Sequence, residues 1–431
     1  MLFVSVIGPS YEEALAQIAE NCELRIDKLV CTEGELLSLR KKVRGKLLLT
    51  LGNMPLPRGI APDLIDIPWD RDLPEAPCPI IRSIHNFHET PPLDALFAQI
   101  SAKPAYAYKI ATFANSTLDA LRMLAFVKKS DVRLTGICMG PLGEITRILA
   151  PVVGGFCMYA SSTDEKAAAP GQLSIDTLEK IYHYSALSQK TRLYGLIGSP
   201  IVQSPSYRTH NAFFRAAGLD AVYVRMQIEP HELAAFFPLA RELGFRGLSV
   251  TIPHKERLFD YVEASEEARV IGAVNTLLFS DGEILGSNTD AAGGLDALED
   301  SVAGKLIVIL GAGGSAKALA YEAKKRGARV CVANRSLKGF ADCLLEDIPE
   351  HYDILINTMP ASYPTGLDIN FKHPSGFGEK MFVRQAEGQF KLWFPEKTLS
   401  FCQDTFLALA ASDENGAAAV AKDVDRSPAH V

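Results

Sequence analysis

Lys305-Leu306-Ile307-Val308-Ile309-Leu310-Gly311-Ala312-Gly313-Gly314-Ser315-Ala316 is an apolar run that ends in a glycine turn and passes into helical spacing through Lys325. A short apolar run closed by glycine reads as a strand buried on both faces, and strand, glycine turn and helix open a βαβ unit. The spacing G-x-G-x-x-A lets a pyrophosphate approach backbone N–H groups, and the positive end of the helix favours its charge. The next strand, 329–333, leads into Asn334-Arg335-Ser336-Leu337-Lys338. A NAD site would carry an acid there for the ribose, whereas Arg335 and Lys338 would meet a 2′-phosphate, so the expected cofactor is NADP. The candidate cofactor residues are Gly311, Ala312, Gly313, Gly314, Ser315, Ala316, Asn334, Arg335, Ser336 and Lys338. A mere tight turn followed by a solvated basic loop is the bland alternative.

Upstream of this unit the chain shows two further patterns. Residues 1–188 hold eight apolar runs, at 2–7, 24–30, 47–51, 64–69, 79–84, 105–113, 132–139 and 152–159, several of them separated by helical spacing at 10–19, 33–43, 93–100 and 116–128. Strands alternating with helices imply a parallel sheet, and eight such units close a (β/α)8 barrel. The gaps 52–62 and 70–77 are short and proline-rich, which predicts a barrel with part of its helical ring missing. After a polar stretch at 185–191 a second α/β pattern begins: strand 192–198, helix 206–217, strand 221–227, helix 230–243, strand 247–251. The expected domains are 1–188, 192–300 and 301–395, with a disordered tail at 411–431 where apolar periodicity stops.

Composition narrows the function. A chain of 431 residues exceeds one ordinary core, and its 48% hydrophobic share without any membrane-length apolar run fits globular domains. The N-terminal run Leu2 to Ile7 lacks a basic leader and ends at Gly8, so it reads as a strand and the expected location is the cytoplasm. A formal net charge of −7 without a basic block argues against nucleic acid as a partner. The eight cysteines form no C-x-x-C pair, and several lie in strand-like runs such as Val330-Cys331-Val332, so reduced, buried thiols are expected.

Two lysines carry candidate chemistry. Lys109 interrupts the apolar, aromatic strand Ala105-Tyr106-Ala107-Tyr108-Lys109-Ile110-Ala111-Thr112-Phe113. Burying an ammonium is costly unless it is paired or deprotonated, and a neutral amine is what Schiff-base formation with a ketone requires. In Cys22-Glu23-Leu24-Arg25-Ile26-Asp27 the two-residue alternation sets Glu23, Arg25 and Asp27 on one face, which would look into the barrel mouth. His85 closes another strand and can exchange a proton near neutral pH. His85-x-x-His88-Glu89 lacks a third ligand at suitable spacing, so no metal is expected. The second lysine, Lys255 in Ser249-Val250-Thr251-Ile252-Pro253-His254-Lys255-Glu256, is expected at a helix start opening near Pro253, where the dipole disfavours a cation. Asn288-Thr289-Asp290 is a polar triplet before a glycine-rich helix, and as bland reading an N-cap.

The segments Gly198-Ser199-Pro200-Ile201-Val202-Gln203-Ser204-Pro205-Ser206, Val250 to Lys255, Ile271-Gly272-Ala273-Val274-Asn275-Thr276, Asn288-Thr289-Asp290, the glycine turn and Gln385-Ala386-x-x-Gln389-Phe390-x-Leu392-Trp393 stand in an order that resembles the shikimate dehydrogenases over about 192–395. The resemblance implies a substrate-binding domain followed by a Rossmann-like NADP domain. It places Ser204 and Ser206 on the substrate carboxylate, with Thr251, Asn275 and Gln389 or Gln385 on its hydroxyls. It makes Lys255 and Asp290 the catalytic pair. The family carries a further strand and helix between Thr358 and Met381, where this chain has only a Pro/Gly/Lys-rich stretch.

Residues 1–188, with Glu23, Arg25, His85, Lys109 and Ala169-Pro170-Gly171-Gln172, resemble the type I 3-dehydroquinate dehydratases. By that resemblance Lys109 forms a Schiff base with the C3 ketone and His85 moves the C2 proton, while Glu23, Arg25, Arg147 and Gln172 bind substrate. Three positions depart from the family: Gly52 replaces an arginine, Leu56 a glutamate that orients the histidine, and Ala168 a serine. The two resemblances describe consecutive steps, so the expectation is an α/β bifunctional enzyme: a reduced-helix (β/α)8 barrel followed by a two-domain dehydrogenase unit. The alternatives are a non-catalytic metabolite sensor on the same domains, and a class I aldolase fused to an NADP oxidoreductase.

Overall fold

The structure, a computed structural model, describes residues 1–201, 204–337, 339–361, 363–370 and 373–397. Lys338 and the expected tail 411–431 therefore lie outside the described residues. The chain forms two compact units: residues 1–192 with 220–228 and 232–244, and residues 193–219 with 229–231 and 245 onward.

In the first unit eight parallel strands run in chain order: β1 (Leu2–Gly8), β2 (Cys22–Leu29), β3 (Leu47–Thr50), β4 (Leu64–Pro68), β5 (Ile80–His85), β6 (Ala107–Phe113), β7 (Leu134–Met139) and β8 (Met158–Ala160). Pairing runs β7-β6-β5-β4-β3-β2-β1-β8, a barrel closed at every joint but one. At that joint the Thr135 hydroxyl accepts from the Cys157 amide at 3.3 Å, so a side chain bridges the gap between β7 and the start of β8. The eighth strand is shorter than the run 152–159 predicts. Val152 and Val153 bond back to the Leu149 carbonyl and finish the short helix Ile145–Leu149.

The predicted helices appear as Tyr11–Leu15, Glu33–Lys42, Leu93–Ser101 and Thr117–Lys129. No α-helix separates β3, β4 and β5, as the proline-rich gaps 52–62 and 70–77 require. Two helix starts are written in local chemistry. Thr32 and Glu35, then Ser116 and Asp119, form reciprocal capping boxes that satisfy first-turn N–H groups. The same unit holds the strand Ala221–Gln227 and the helix Leu233–Leu243, whose Glu232 carboxylate accepts from the Ser116 hydroxyl.

In the second unit the strand Arg192–Gly198 pairs in parallel with Phe245–Val250, which is antiparallel to Thr276–Phe279, itself antiparallel to Ile284–Ser287. A separate sheet of five parallel strands follows, in the order Cys343–Leu344, Arg329–Asn334, Leu306–Leu310, Ile354–Asn357, Leu367–Asp368. Its order reverses beside Leu306–Leu310, which makes the crevice at that strand's carboxyl end the ligand position of a doubly wound sheet. Helix Phe377–Trp393 then returns to the first sheet, where the Trp393 indole donates to the Leu277 carbonyl at 2.9 Å.

Three expectations need correction. The chain does not enter a helix at Pro253: residues 251–257 are turns, because the Lys255 carbonyl accepts from the Val274 amide at 2.7 Å and is unavailable to a helical ladder. The nucleotide sheet has its fifth strand, the two-residue Leu367–Asp368, although no helix separates it from Ile354–Asn357 among the described residues. The described cysteines are all free, but only Cys22, Cys138 and Cys157 are buried. Cys331 and Cys343 are half-exposed because they lie towards the edge of their sheet.

Two candidate active sites, one per unit

The carboxyl ends of the barrel strands open into a cavity of about 330 Å³, lined by Glu23, Arg25, His85, Lys109, Arg147 and Gln172. The six barrel residues that the resemblance assigns to catalysis or substrate binding therefore meet, and Asp27 lines the same cavity. Lys109, on β6, is 5% exposed, and its burial is resolved by pairing: the ammonium donates to the Asp66 carboxylate on β4. Ser83, on the strand between, donates to the other Asp66 oxygen at 2.5 Å. Tyr159 presents its ring face 4.6 Å from the same ammonium.

Glu23 is held from both sides, by Ser5 and Thr50 hydroxyls donating at 2.5 Å each. Gln172 extends this chain by donating to Ser5 at 3.1 Å, while its carbonyl end accepts from the Ala168 amide at 2.6 Å. Arg25 grips Asp27 through two hydrogen bonds of 2.9 and 2.6 Å. Burial pushes the Asp27 carboxyl up, but those bonds outweigh it and leave it below the usual carboxylate range.

Arg147 is different. Its side chain is 2% exposed, it forms no ion pair among the described residues, and its Nε has no hydrogen-bond partner there. Burial brings its guanidinium down to about 10, still cationic at neutral pH. A buried guanidinium that lines a cavity and makes no ion pair of its own among the described residues can receive an anion there.

His85 ends β5 at the cavity rim, where its ring stacks on Phe87 at 5.9 Å and hydrogen-bonds to no side chain among the described residues. Leu56, at the position of the family's orienting glutamate, packs instead against the apolar core. Desolvation at the cavity rim first, then the Lys109 and Arg25 charges, lower the imidazole below its ordinary value although the residue is exposed, so it is neutral at pH 7 and able to accept a proton. Gly52 has φ +52° and lies so close to Asp27 that an added Cβ would sit 3.1 Å from its Cβ; glycine suits the turn there.

In the second unit Lys255 donates to Asp290 at 2.5 Å and to Ser315 at 3.0 Å, while both partners of the ion pair remain largely buried. Asn275 fixes the carboxylate: its amide donates to Asp290 at 2.8 Å and to Thr289 at 3.0 Å. Its carbonyl accepts from the Thr289 amide at 2.8 Å. The Asn288-Thr289-Asp290 triplet does double service, since Asn288 also accepts from the Ala291 amide at the head of helix Asp290–Asp296.

Ser204 and Ser206 stand 3.0 Å apart, hydroxyl to hydroxyl. Thr251 begins the turn that carries Lys255, its amide donating to the Ile197 carbonyl at 3.0 Å. Helix Phe377–Trp393 brings Gln389, 2% exposed, against Ser249, which donates to it at 2.9 Å. Gln385 turns instead to its own helix and donates to the Phe382 carbonyl at 3.0 Å.

The glycine turn fits a dinucleotide. Gly311 has φ +100°, and a Cβ at Gly314 would meet the Lys255 Cβ at 3.1 Å, so the turn and Lys255 are packed face to face. Ala312 follows Gly311, and Ala316 is fully buried inside helix Gly314–Lys325. That helix starts at Gly313 with no side-chain cap, which leaves its first N–H groups available to phosphate oxygens. After Asn334, which donates to the Ser336 carbonyl at 3.4 Å, Arg335 is exposed and unpaired with any carboxylate among the described residues.

Sequence reasoning missed Asp66, Ser83, Ser5, Thr50 and Tyr159. Asp66 carried the same signal as Lys109, a charge inside an apolar strand run, in Leu64-Ile65-Asp66-Ile67. The hydroxyl residues carried none, because they are ordinary strand residues until their neighbours are known.

A cavity at the mouth of an eight-stranded parallel barrel with a buried lysine defines a Schiff-base barrel, and the second unit defines a nicotinamide-dependent reductase. The type I 3-dehydroquinase family model matches residues 61–189, and the shikimate dehydrogenase substrate binding domain model matches residues 196–277. The chain is 33% identical over 459 aligned positions to the shikimate biosynthesis protein AroDE of Chlamydia pneumoniae, covering 92% of this chain and 96% of that one. It is also 38% identical over 279 positions to the chloroplastic bifunctional 3-dehydroquinate dehydratase/shikimate dehydrogenase of Arabidopsis thaliana, covering 60% of this chain and 46% of that one. Against the shikimate dehydrogenase (NADP(+)) of Methanothermobacter thermautotrophicus identity is 43% over 168 positions, 38% of this chain and 59% of that one. The chain belongs to the AroDE family of shikimate biosynthesis proteins.

Proposed function

We propose that this chain dehydrates 3-dehydroquinate in the barrel and reduces the product, 3-dehydroshikimate, to shikimate in the second unit, using NADPH. Residues 1–188 carry the first step, and 192–300 and 301–395 supply the substrate and nucleotide domains of the second. Its partners are small molecules, and we place it in the cytoplasm; no described helix is long and apolar enough to cross a membrane.

The observation that carries the first activity is the Lys109–Asp66 pair in a cavity that also holds the unpartnered Arg147 and a neutral His85. Asp66 takes a proton from Lys109, whose free Nζ adds to the C3 ketone; loss of water leaves an iminium that acidifies C2. His85 removes the C2 proton to give an enamine, then returns that proton to the C1 hydroxyl, which leaves as water. Hydrolysis of the iminium releases the enone and regenerates the lysine. Arg147 holds the carboxylate, and Glu23, Arg25 and Gln172 the ring hydroxyls.

In the second unit the supporting observation is Lys255 shared between Asp290 and Ser315, with Asn275 orienting the carboxylate. NADPH, when bound on the Gly311–Ala316 turn with Arg335 on its 2′-phosphate, supplies the hydride. Lys255 delivers the proton to the C3 oxygen and Asp290 keeps its ammonium aimed. Ser204 and Ser206 take the substrate carboxylate, and Thr251, Asn275 and Gln389 its hydroxyls. The two intact ion pairs weigh against a non-catalytic sensor.

The test is borohydride trapping with 3-dehydroquinate, read by intact mass. Wild type gains one reduced adduct on Lys109, while Lys109→Ala gains none yet still reduces 3-dehydroshikimate. An adduct that persists in Lys109→Ala, or equal loss of both activities, contradicts two separate sites.

A further inference from the structure

Strand β2 alternates as expected as far as Ile26: Leu24 and Ile26 are buried in the apolar core, and Glu23 and Arg25 face the mouth. Continued alternation would point Asp27 inward and Lys28 outward. The pairing with β1 breaks here. Val6 lies opposite Leu24, yet Gly8 lies opposite Leu29, so two steps along β1 are matched by five along β2. Extra residues in one strand of a pair re-aim its side chains, and such irregularities gather beside active sites. The consequence is that both Asp27 and Lys28, neighbours in sequence, line the barrel cavity.

The cations of that cavity divide into two groups. Arg25 is tied to Asp27 and Lys109 to Asp66. Arg147 and Lys28 pair with no carboxylate among the described residues. Lys28 Nζ donates to the Ala168 carbonyl at 2.9 Å, a neutral acceptor on the loop that also carries Gln172. Two lining positions of the mouth contribute no charge: Gly52 offers no side chain and Ala168 only a methyl. A flexible four-carbon ammonium is suited to cross such a gap.

We propose that Lys28 is a substrate-binding residue of the dehydratase site, its ammonium leaving the Ala168 carbonyl to meet the substrate carboxylate together with Arg147. The contact supplies, from β2, a cation that neither Gly52 nor Ala168 can provide. This rests on the dehydratase reading above. Lys28 is exposed at the rim, and desolvation there first, then the Arg25 charge, hold its ammonium below the ordinary lysine range.

The experiment is steady-state dehydration of 3-dehydroquinate by wild type, Lys28→Met, Lys28→Gln and Lys28→Arg, with NADPH-dependent reduction of 3-dehydroshikimate measured on each preparation. The expected result is a KM for 3-dehydroquinate raised at least tenfold in Lys28→Met and Lys28→Gln with kcat within about twofold, restored to within threefold of wild type in Lys28→Arg, and reductase constants unchanged. A merely structural role would lower kcat or the melting temperature without this KM split and without rescue by arginine. A KM within twofold of wild type in either neutral variant overturns the assignment of Lys28. A wild-type chain that forms no enone overturns the dehydratase reading itself, and Lys28 with it.

Discussion

Lys109 and Asp66 meet across the strand that separates them: one stands on β6, the other on β4, and Ser83 of β5 donates to the Asp66 carboxylate from the strand between. Three adjacent strands thus build one proton-handling cluster at the floor of a cavity. Asp66 compensates the buried ammonium, and in the proposed mechanism it is the group that takes the lysine's proton. Replacing Asp66 with Asn keeps the shape and a hydrogen-bond acceptor but removes the charge. Asp66→Asn is expected to lower the dehydratase kcat by about a hundredfold, the scale of general acid–base assistance, with reduction of 3-dehydroshikimate unchanged. Enone absorbance reads the first rate and NADPH absorbance the second; a dehydratase kcat within threefold of wild type would remove Asp66 from the chemistry.

His85 gives a prediction with a definite sign. Its imidazole is lowered from the ordinary 6.5, by desolvation first and the Lys109 and Arg25 charges second, and the exposure of His85 limits the first of these. A base is active when deprotonated, so activity is lost only as pH falls through the lowered value. The His85 limb of the dehydratase kcat/KM is expected to lie below pH 6.5, so that the loss between pH 7 and 5 is smaller than the more than tenfold an unperturbed histidine would cost. His85→Ala should lose at least about a thousandfold across that range. A limb near 6.5 in wild type, absent in His85→Ala, would show that the ring titrates normally.

Arg335 stands exposed after the second nucleotide strand, unpaired among the described residues and beyond the uncapped helix start at Gly313. Arg335→Ala is expected to raise the KM for NADPH at least tenfold, in line with loss of a charge-assisted phosphate contact, and to leave the KM for NADH and for 3-dehydroshikimate within about twofold. Initial rates with the two nucleotides decide it. An undiminished preference for NADPH would place the 2′-phosphate elsewhere.

Much of the fold was legible because it rests on local signals. Eight apolar runs became eight strands, the prolines of 52–62 and 70–77 excluded helices from the ring, and the glycine turn at 311–316 lies where the parallel sheet reverses its order. Lys109 was legible as a charge in an apolar strand, and Asp66 was equally so by the same rule. Lys28 was not, because alternation assigns it to the outer face and only the irregular pairing of β1 with β2 brings it inward. The helix expected at Pro253 failed for a related reason: what decides the local backbone is the bond from Val274 to the Lys255 carbonyl, a partner nineteen residues away that no local pattern announces. Likewise Gln385 and Gln389 are both polar residues of one helix, and only the packing of that helix on Ser249 and on the backbone of Gly293 separates the one that reaches the site.

The central claim is two working sites on one chain, joined by a common metabolite. The most direct measurement is one cuvette holding the purified full chain, 3-dehydroquinate and NADPH, followed for enone absorbance and for NADPH together. The expected course is transient enone followed by NADPH loss equal to the dehydroquinate supplied, with shikimate as the product. Enone that accumulates while NADPH stays constant, or no change in either signal, would contradict it.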